Sequence, residues 1–179
     1  MSQMPVVPRD RMNALRSHLA AQEGAVLEPL AAEHGLTLRD AIQCLPDALW
    51  RRASGSAFVE VMQEVAGWGP VLVLIHTRDV IFECHGPLPP GDEGRGFYNL
   101  RHGSPLRGHL RGDRCGDIFF VRRRFMGRET CSIVLCNHDG EGMFKIFVDR
   151  DEQGELREEQ VKRFDELSRR LAAATHLSS

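Results

Sequence analysis

The sequence lacks the features of a membrane-spanning or secreted protein. No apolar stretch approaches the roughly 20 residues that a membrane-spanning helix needs, since the longest run, Val71–Ile75, is only strand-sized. Residues 1–16 contain no apolar segment followed by small residues, as a signal peptide would. Hydrophobic residues make up 42% and charged residues 27% of the 179 residues, which is typical of soluble globular domains. We therefore expect a cytoplasmic protein with no membrane contact.

Closely spaced cysteine pairs are also absent. The five cysteines include no Cys-x-x-Cys pair, and the closest two, Cys131 and Cys136, are five residues apart. Residues five apart on a strand face opposite sides, so these two should not share a metal ion. The pattern argues against a zinc site or a disulfide framework. We predict that the cysteines are small, mostly buried apolar residues.

Lysine is scarce, and Lys145 and Lys162 are the only two among 23 basic residues. The net charge of −2 argues against a globally basic protein that binds nucleic acid. Between residues 95 and 128, however, nine arginines accompany only Asp113 and Asp117. The forked donors of arginine suit carboxylates and phosphates. This segment could hold an anionic ligand, or it could be a solvated arginine-rich surface.

Periodicity divides the chain into helical and strand-forming parts. Helical patterns cover residues 12–19, 26–34, 37–45, 56–66 and 155–174. Strand patterns cover residues 71–77, 80–85, 97–100, 106–111, 117–125, 129–136 and 143–148, with a loop at 86–96. This order predicts an α+β fold with N-terminal helices, one large, mostly antiparallel β-sheet and a C-terminal helix. We assign residues 1–55 to a helical N-terminal segment and 56–179 to the sheet domain, packed as one compact unit.

The helical pair at residues 26–45 has the form of a helix-turn-helix, with Gly35 at the turn. A ligand-sensing transcription regulator is therefore one candidate function. Several acidic residues surround the unit, and Arg39 is its single arginine or lysine. A recognition helix must approach phosphates, so this charge distribution favours packing or partner docking over DNA binding.

Two histidines occupy positions where a ligand could meet them. In the predicted strand 106–111, alternation places Arg107, His109 and Arg111 on one face. The two guanidinium groups should favour the neutral imidazole, which is the form that binds metals. His76 follows the apolar run Val71–Ile75, where it could enter a pocket. Each could equally be an ordinary surface or structural histidine, and no catalytic motif accompanies them.

Taken together, the motifs resemble the cytosolic haem-utilisation carriers of the HutX/ChuX type. The matching pieces are Gly24–Glu28, Leu45-Pro46, Trp68–Pro70, His76-Thr77, Gly86–Pro89, Gly96–Arg101, Gly108-His109, Arg114-Cys115, Phe125–Gly127, Asn137–Gly140, Met143–Phe147 and Arg150-Asp151. Each piece is weak alone, but their order and spacing are specific.

The resemblance implies a carrier of ferric haem b that receives imported haem and passes it to a processing protein, rather than an enzyme. It also implies a homodimer, in which each subunit matches one half of the larger HemS-type haem-trafficking proteins. A haem-modifying enzyme remains an alternative. The family's haem-associated histidines correspond to His76 and His109.

Haem is an apolar plate with two carboxylates, so its site needs an apolar wall, an axial donor and nearby cations. We expect Phe97 to form part of the wall. The propionates are expected to meet Arg101, Arg107 or Arg111.

One departure from the family pattern concerns its tyrosine. Related proteins carry Gly-Tyr-Phe-Asn, whereas this chain has Gly96-Phe97-Tyr98-Asn99. On a strand, a shift of one residue moves the phenol to the opposite face. Tyr98 is the only tyrosine, so we place His76 and His109 ahead of Tyr98 as axial ligands.

Overall fold

The structure is a computed structural model, and it describes residues 9–177. Among these residues, five α-helices follow the periodic segments. They span Arg9–Ala21 (α1), Leu27–Glu33 (α2), Leu38–Cys44 (α3), Phe58–Val65 (α4) and Glu158–Leu177 (α5). A capping box begins α3, because the Thr37 hydroxyl accepts from the Asp40 amide and the Asp40 carboxylate accepts from the Thr37 amide. In the described part of the chain, no helix is long and apolar enough to cross a membrane.

Within residues 9–177, nine strands form two antiparallel sheets. They span Trp50–Ser54 (β1), Pro70–His76 (β2), Ile81–Pro87 (β3), Gly91–Gly94 (β4), Phe97–Leu100 (β5), His109–Leu110 (β6), Cys115–Phe125 (β7), Arg128–Asn137 (β8) and Gly142–Phe147 (β9). The large sheet has the order β1-β7-β8-β9-β2-β3, and the small sheet has the order β4-β5-β6. The α+β class is confirmed, and β2–β3 and β8–β9 form antiparallel hairpins.

Each face of the large sheet supports its own hydrophobic core. Helices α1–α3 pack on Phe119, Val121 and Val134, whereas α4, α5 and the small sheet pack on the opposite face. Because side chains alternate along β8, Cys131 lies in the core formed with α4 and α5 and Cys136 in the core formed with α1–α3, on opposite faces as predicted. Burial raises the pKa of Cys131 to about 11 and that of Cys136 to about 12. These thiols therefore remain neutral packing groups.

The sequence analysis did not predict two of the strands, β1 and β4. In β1, Ala53 alone is fully buried, so this edge strand lacks the alternation that marks a strand. The predicted loop 86–96 contains β4, and Gly91 in this strand serves a close approach rather than a turn. A Cβ atom at Gly91 would lie 2.4 Å from Cε1 of Tyr98. The prediction of one sheet was therefore incomplete, and β1 joins the large sheet although it precedes residue 56.

The predicted strand 106–111 is wrong for most of its length. Only His109 and Leu110 pair in the small sheet, and Arg111 is followed by a short 3₁₀ helix, Gly112–Arg114. Pro105 has no amide hydrogen to donate to a ladder, and Gly108 weakens strand formation. The alternation that grouped Arg107, His109 and Arg111 on one strand face therefore does not apply.

Candidate ligand-binding site

An open, largely apolar cavity of about 530 Å³ lies over one half of the large sheet. Helices α1–α3 cover the β7–β8 half of this face, so the surface of β9, β2 and β3 remains accessible. The antiparallel register brings the alternate residues of neighbouring strands to the same face. Residues lining the cavity include Leu72, Leu74, His76, Ile81, Glu83, His85, Phe147, Lys145, Arg123, Phe125, Arg128, Arg150 and, from α2, Leu27 and Glu28.

His76 lies at the end of β2, with 17% of its side chain exposed. Its Nδ1 is 3.4 Å from Oε1 of Glu28 in α2, and the same carboxylate oxygen contacts Nζ of Lys145 in β9. Arg123 of β7 donates to the main-chain oxygen of Ala25. Burial lowers the pKa of Arg123, and the charge of Glu28 acts in the opposite direction. The cavity therefore combines an imidazole with a small buried group of opposite charges.

A second charged group, formed by His85, Asp149 and Arg157, lies further along β3, away from His76. His85 pairs across the β2–β3 ladder with Leu72, whereas His76 pairs with Ile81. Nε2 of His85 is 2.8 Å from Oδ1 of Asp149, whose Oδ2 accepts from Nε of Arg157 at 2.7 Å. Burial tends to raise the pKa of Asp149, but the hydrogen bonds from Arg157 and His85 outweigh it and lower the pKa. His85 is thus held by a carboxylate at the cavity wall.

His109 lies in the small sheet, where Asn99 fixes the hydrogen bonding of its ring. The side-chain nitrogen of Asn99 donates to three main-chain oxygens, those of Asp92, Gly94 and Phe97. These bonds assign the amide orientation. Its Oδ1 then accepts from Nδ1 of His109 at 2.7 Å. The lone pair of Nε2 is left available to a ligand in the neutral ring.

The residues predicted as the haem wall, Phe97, and as propionate partners, Arg101, Arg107 and Arg111, lie on the same small sheet as His109 or next to it, and together they form a second surface. Phe97 is 38% exposed and meets the His109 ring edge-to-face at 6.0 Å, and the Arg111 guanidinium lies 5.6 Å from the centre of the Phe97 ring. Arg111 is also paired with Asp113, and Arg101 with Asp92. Exposed pairs of this kind are weak because solvent screens them, so a ligand carboxylate can compete for them. Arg107 is exposed and has no ion-pair partner within residues 9–177.

Tyr98 is part of the core rather than of either surface. Its side chain is 2% exposed, and its ring meets that of Phe58 edge-to-face at 5.8 Å. Burial raises the pKa of the Tyr98 hydroxyl, partly offset by the backbone of Gly91. In β5, Phe97 is therefore exposed and Tyr98 is buried on the opposite face. This is the arrangement predicted from the order Phe97-Tyr98, which is the reverse of the Tyr-Phe order in related proteins.

The structure does not bring the two predicted histidines together within this chain. His76 lies on the face of Leu72 and Leu74, whereas the small sheet that carries His109 packs on the other core through Tyr98 and Leu100. Glu28, Lys145, His85 and Asp149 were missed as candidate site residues. The first two fall within matching motifs, and strand register would have placed His85 beside Leu72. No three metal-ligating side chains among the described residues converge on one point.

Comparison with known proteins decides the family. Residues 51–167 match the sequence model of the family described as haem utilisation ChuX/HutX. The chain belongs to this family. It is 35% identical over 151 residues to the intracellular heme transport protein HutX of Vibrio cholerae, covering 83% of this chain and 78% of HutX.

Solved structures of related proteins agree with the fold. A structure of the heme-binding protein ChuX superimposes with a TM-score of 0.79 at 38% identity, covering 88% of this chain and 98% of ChuX. The heme-binding protein PhuS of Pseudomonas aeruginosa, at 18% identity, shares the fold with a TM-score of 0.70. That match covers 92% of this chain and 49% of PhuS. The prediction of a fold like one half of a larger protein is thereby confirmed.

Proposed function

We propose that this protein is an intracellular haem carrier, which binds haem as cargo and passes it to a processing protein. The observation that carries the proposal is the open cavity over β9, β2 and β3, with His76 in its wall. The names of the relatives support it, since HutX is an intracellular heme transport protein and ChuX is a heme-binding protein.

The cavity residues fit the chemistry of haem b. Leu72, Leu74 and Phe147 offer an apolar floor to the porphyrin plate. His76 offers an imidazole as the axial donor to the iron. Arg128 and Arg150, which also line the cavity, supply positive charge for the two propionates. Haem is the cargo, and the protein contributes binding and orientation.

The openness of the site favours a carrier over an enzyme. A carrier must release its cargo, and a cavity closed on one side by a sheet and open on the other allows exchange. Haem-dependent turnover with a supplied electron donor would identify a haem-modifying enzyme instead. The helical pair at residues 26–45 serves packing in this proposal, because Arg39 binds Asp117 and main-chain oxygens of residues 137 and 138 rather than facing outward.

His109 is assigned to a second contact with haem, across a homodimer. The small-sheet surface offers Phe97, the available Nε2 of His109, and Arg107, Arg111 and Arg101 as carboxylate partners. Since His76 and His109 occupy opposite faces of one protomer, both can reach one haem only if different protomers supply them. Support for an interface comes from the edge strand β3, where Ile81 is 57% and Phe82 is 66% exposed.

A hemin titration with absorption spectra tests the proposal. We expect a Soret band with the wild-type protein, and His76→Ala to change the ferric spectrum and weaken binding. His109→Ala is also expected to change the ferric spectrum, through the second contact. Two histidines of the N-terminal helices, His18 and His34, provide matched controls that should be silent. Wild-type spectra and affinity in both the His76 and His109 variants would contradict the assignment.

A further inference from the structure

The carboxylate of Glu28 lines the cavity, whereas the buried residues of its helix, α2, are apolar. Glu28 is in the first turn of α2, and its side chain is 17% exposed. Its Oε1 contacts both Nδ1 of His76, at 3.4 Å, and Nζ of Lys145. Its Oε2 is buried, and no hydrogen-bond donor of the described residues reaches it.

The buried, unpaired oxygen of Glu28 is unfavourable for the stability of the folded protein. A buried ionised oxygen without a donor loses its hydration and gains little in return. Interaction with the helix dipole is equally available to an exposed acid in the first turn, so it does not explain a side chain placed against the sheet. Lys145 and the buried Arg123 provide compensating charge nearby. The site thus holds a carboxylate with one unpaired oxygen against the imidazole of His76 and the ammonium group of Lys145.

We propose that Glu28 is a positioning residue for His76, which holds the proton on Nδ1 and leaves Nε2 to bind the haem iron. The proposal rests on the proposed function in naming haem as the ligand. A carboxylate that faces one ring nitrogen favours the proton on that nitrogen, and it makes the other nitrogen a stronger donor. A stronger, more negative donor stabilises ferric over ferrous iron, which suits a carrier of ferric haem.

The tautomer of His76 can be measured in the protein without haem. Long-range ¹H–¹⁵N correlation spectra near neutral pH are expected to show the Nδ1–H form of His76 in the wild type. Glu28→Gln should shift the ring towards the Nε2–H form, which predominates for imidazole side chains in water. Glu33→Gln, on the same helix and without a contact to His76, is the matched control and should change nothing.

Redox titration of the haem complex tests the effect on iron. Loss of an outer-shell partner typically costs 10–100-fold in metal affinity. We expect Glu28→Gln to weaken ferric haem binding about 10-fold while ferrous binding changes less, which raises the midpoint potential by about 59 mV per tenfold difference. In a His76→Ala background the same substitution should leave the potential unchanged, because the effect passes through the imidazole.

The outcomes separate this proposal from the proposed function. If His76→Ala binds haem as the wild type does, the ligand assignment of His76 fails, while the tautomer experiment still decides whether Glu28 positions the ring. An Nε2–H tautomer in the wild type would overturn the positioning role even if Glu28→Gln does not fold. An equal potential shift with and without His76 would also overturn it, since a general structural effect would then explain the result.

Discussion

Replacing Tyr98 with phenylalanine is expected to leave the haem complex unchanged. The phenol ring is 2% exposed, lies against Gly91 and meets Phe58 edge-to-face. Phenolate ligation would require loss of the hydroxyl proton, and burial raises the pKa of Tyr98. The side chain can therefore reach neither the cavity beside His76 nor the surface beside His109 without unfolding of the small sheet.

The magnitude follows from the packing of the ring. Tyr98→Phe keeps the shape and removes one hydroxyl, so the free energy of unfolding should change by less than about 1.5 kcal/mol. Tyr98→Ala removes the whole ring and should cost about 3–5 kcal/mol. The edge-to-face pair with Phe58 accounts for about 0.5–1.5 kcal/mol of that loss.

Denaturant unfolding and hemin titration of the same variants give the two readouts. Phe97→Tyr is the matched control, because it introduces a phenol at the exposed neighbouring position of β5, next to His109. We expect Tyr98→Phe to retain the wild-type ferric spectrum and Phe97→Tyr to alter it if this surface meets haem. A tenfold loss of affinity in Tyr98→Phe at unchanged stability would refute the reasoning and make Tyr98 the ligand.

Three further predictions concern assembly, charge and pH. Light scattering in dilute solution should give twice the monomer mass of 20.1 kDa, and the monomer mass would contradict the homodimer. Combined Arg107→Ala and Arg111→Ala should weaken binding of haem more than binding of its dimethyl ester, because only free carboxylates use the guanidinium groups; equal losses would exclude that role. Hydrogen bonds from Arg157 and His85 outweigh burial and lower the pKa of Asp149 in the folded protein. The stabilising effect of the Asp149 carboxylate is therefore fully present above the pKa of an unfolded aspartate, about 3.9. It is lost as the pH falls through the lower pKa of the folded protein. The stability difference between the wild type and Asp149→Asn, measured by denaturant unfolding from pH 7 to pH 3, should therefore shrink below about pH 4; a constant difference would exclude the linkage.

The elements that the sequence predicts well are those whose apolar side chains form a regular or continuous pattern. Burial alternates along β2, β8 is a mostly apolar run that is buried on both faces, and the apolar stripe of α5 follows the helical period. By contrast, β1 buries little beyond Ala53 and gains its place by pairing with β7. Strand β4 owes its place to backbone pairing with β5 and the close approach of Gly91 to Tyr98, neither of which gives a hydrophobic pattern.

The candidate site was predictable only in part, for a related reason. His76 could be placed because it continues an apolar strand, and the exchanged order of Phe97 and Tyr98 predicted which ring is exposed. Glu28 and Lys145 are far apart in sequence, and their contact depends on how α2 crosses the sheet. Local periodicity contains no information about such a crossing, so the charged group beside His76 emerges only from the tertiary structure.

The two walls of the cavity differ in how firmly they are held. Its floor belongs to a six-stranded sheet whose reverse face is covered by the core of α4 and α5, so ladder hydrogen bonds and apolar packing both fix it. The opposite wall includes α2, a helix of seven residues that is too short to be stable alone and depends on packing and on the Glu28 contacts. A planar ligand in the cavity therefore meets a floor that the sheet fixes and a wall whose position depends on the packing of α2. Glu28 joins the two walls, because its carboxylate on α2 contacts His76 of β2 and Lys145 of β9.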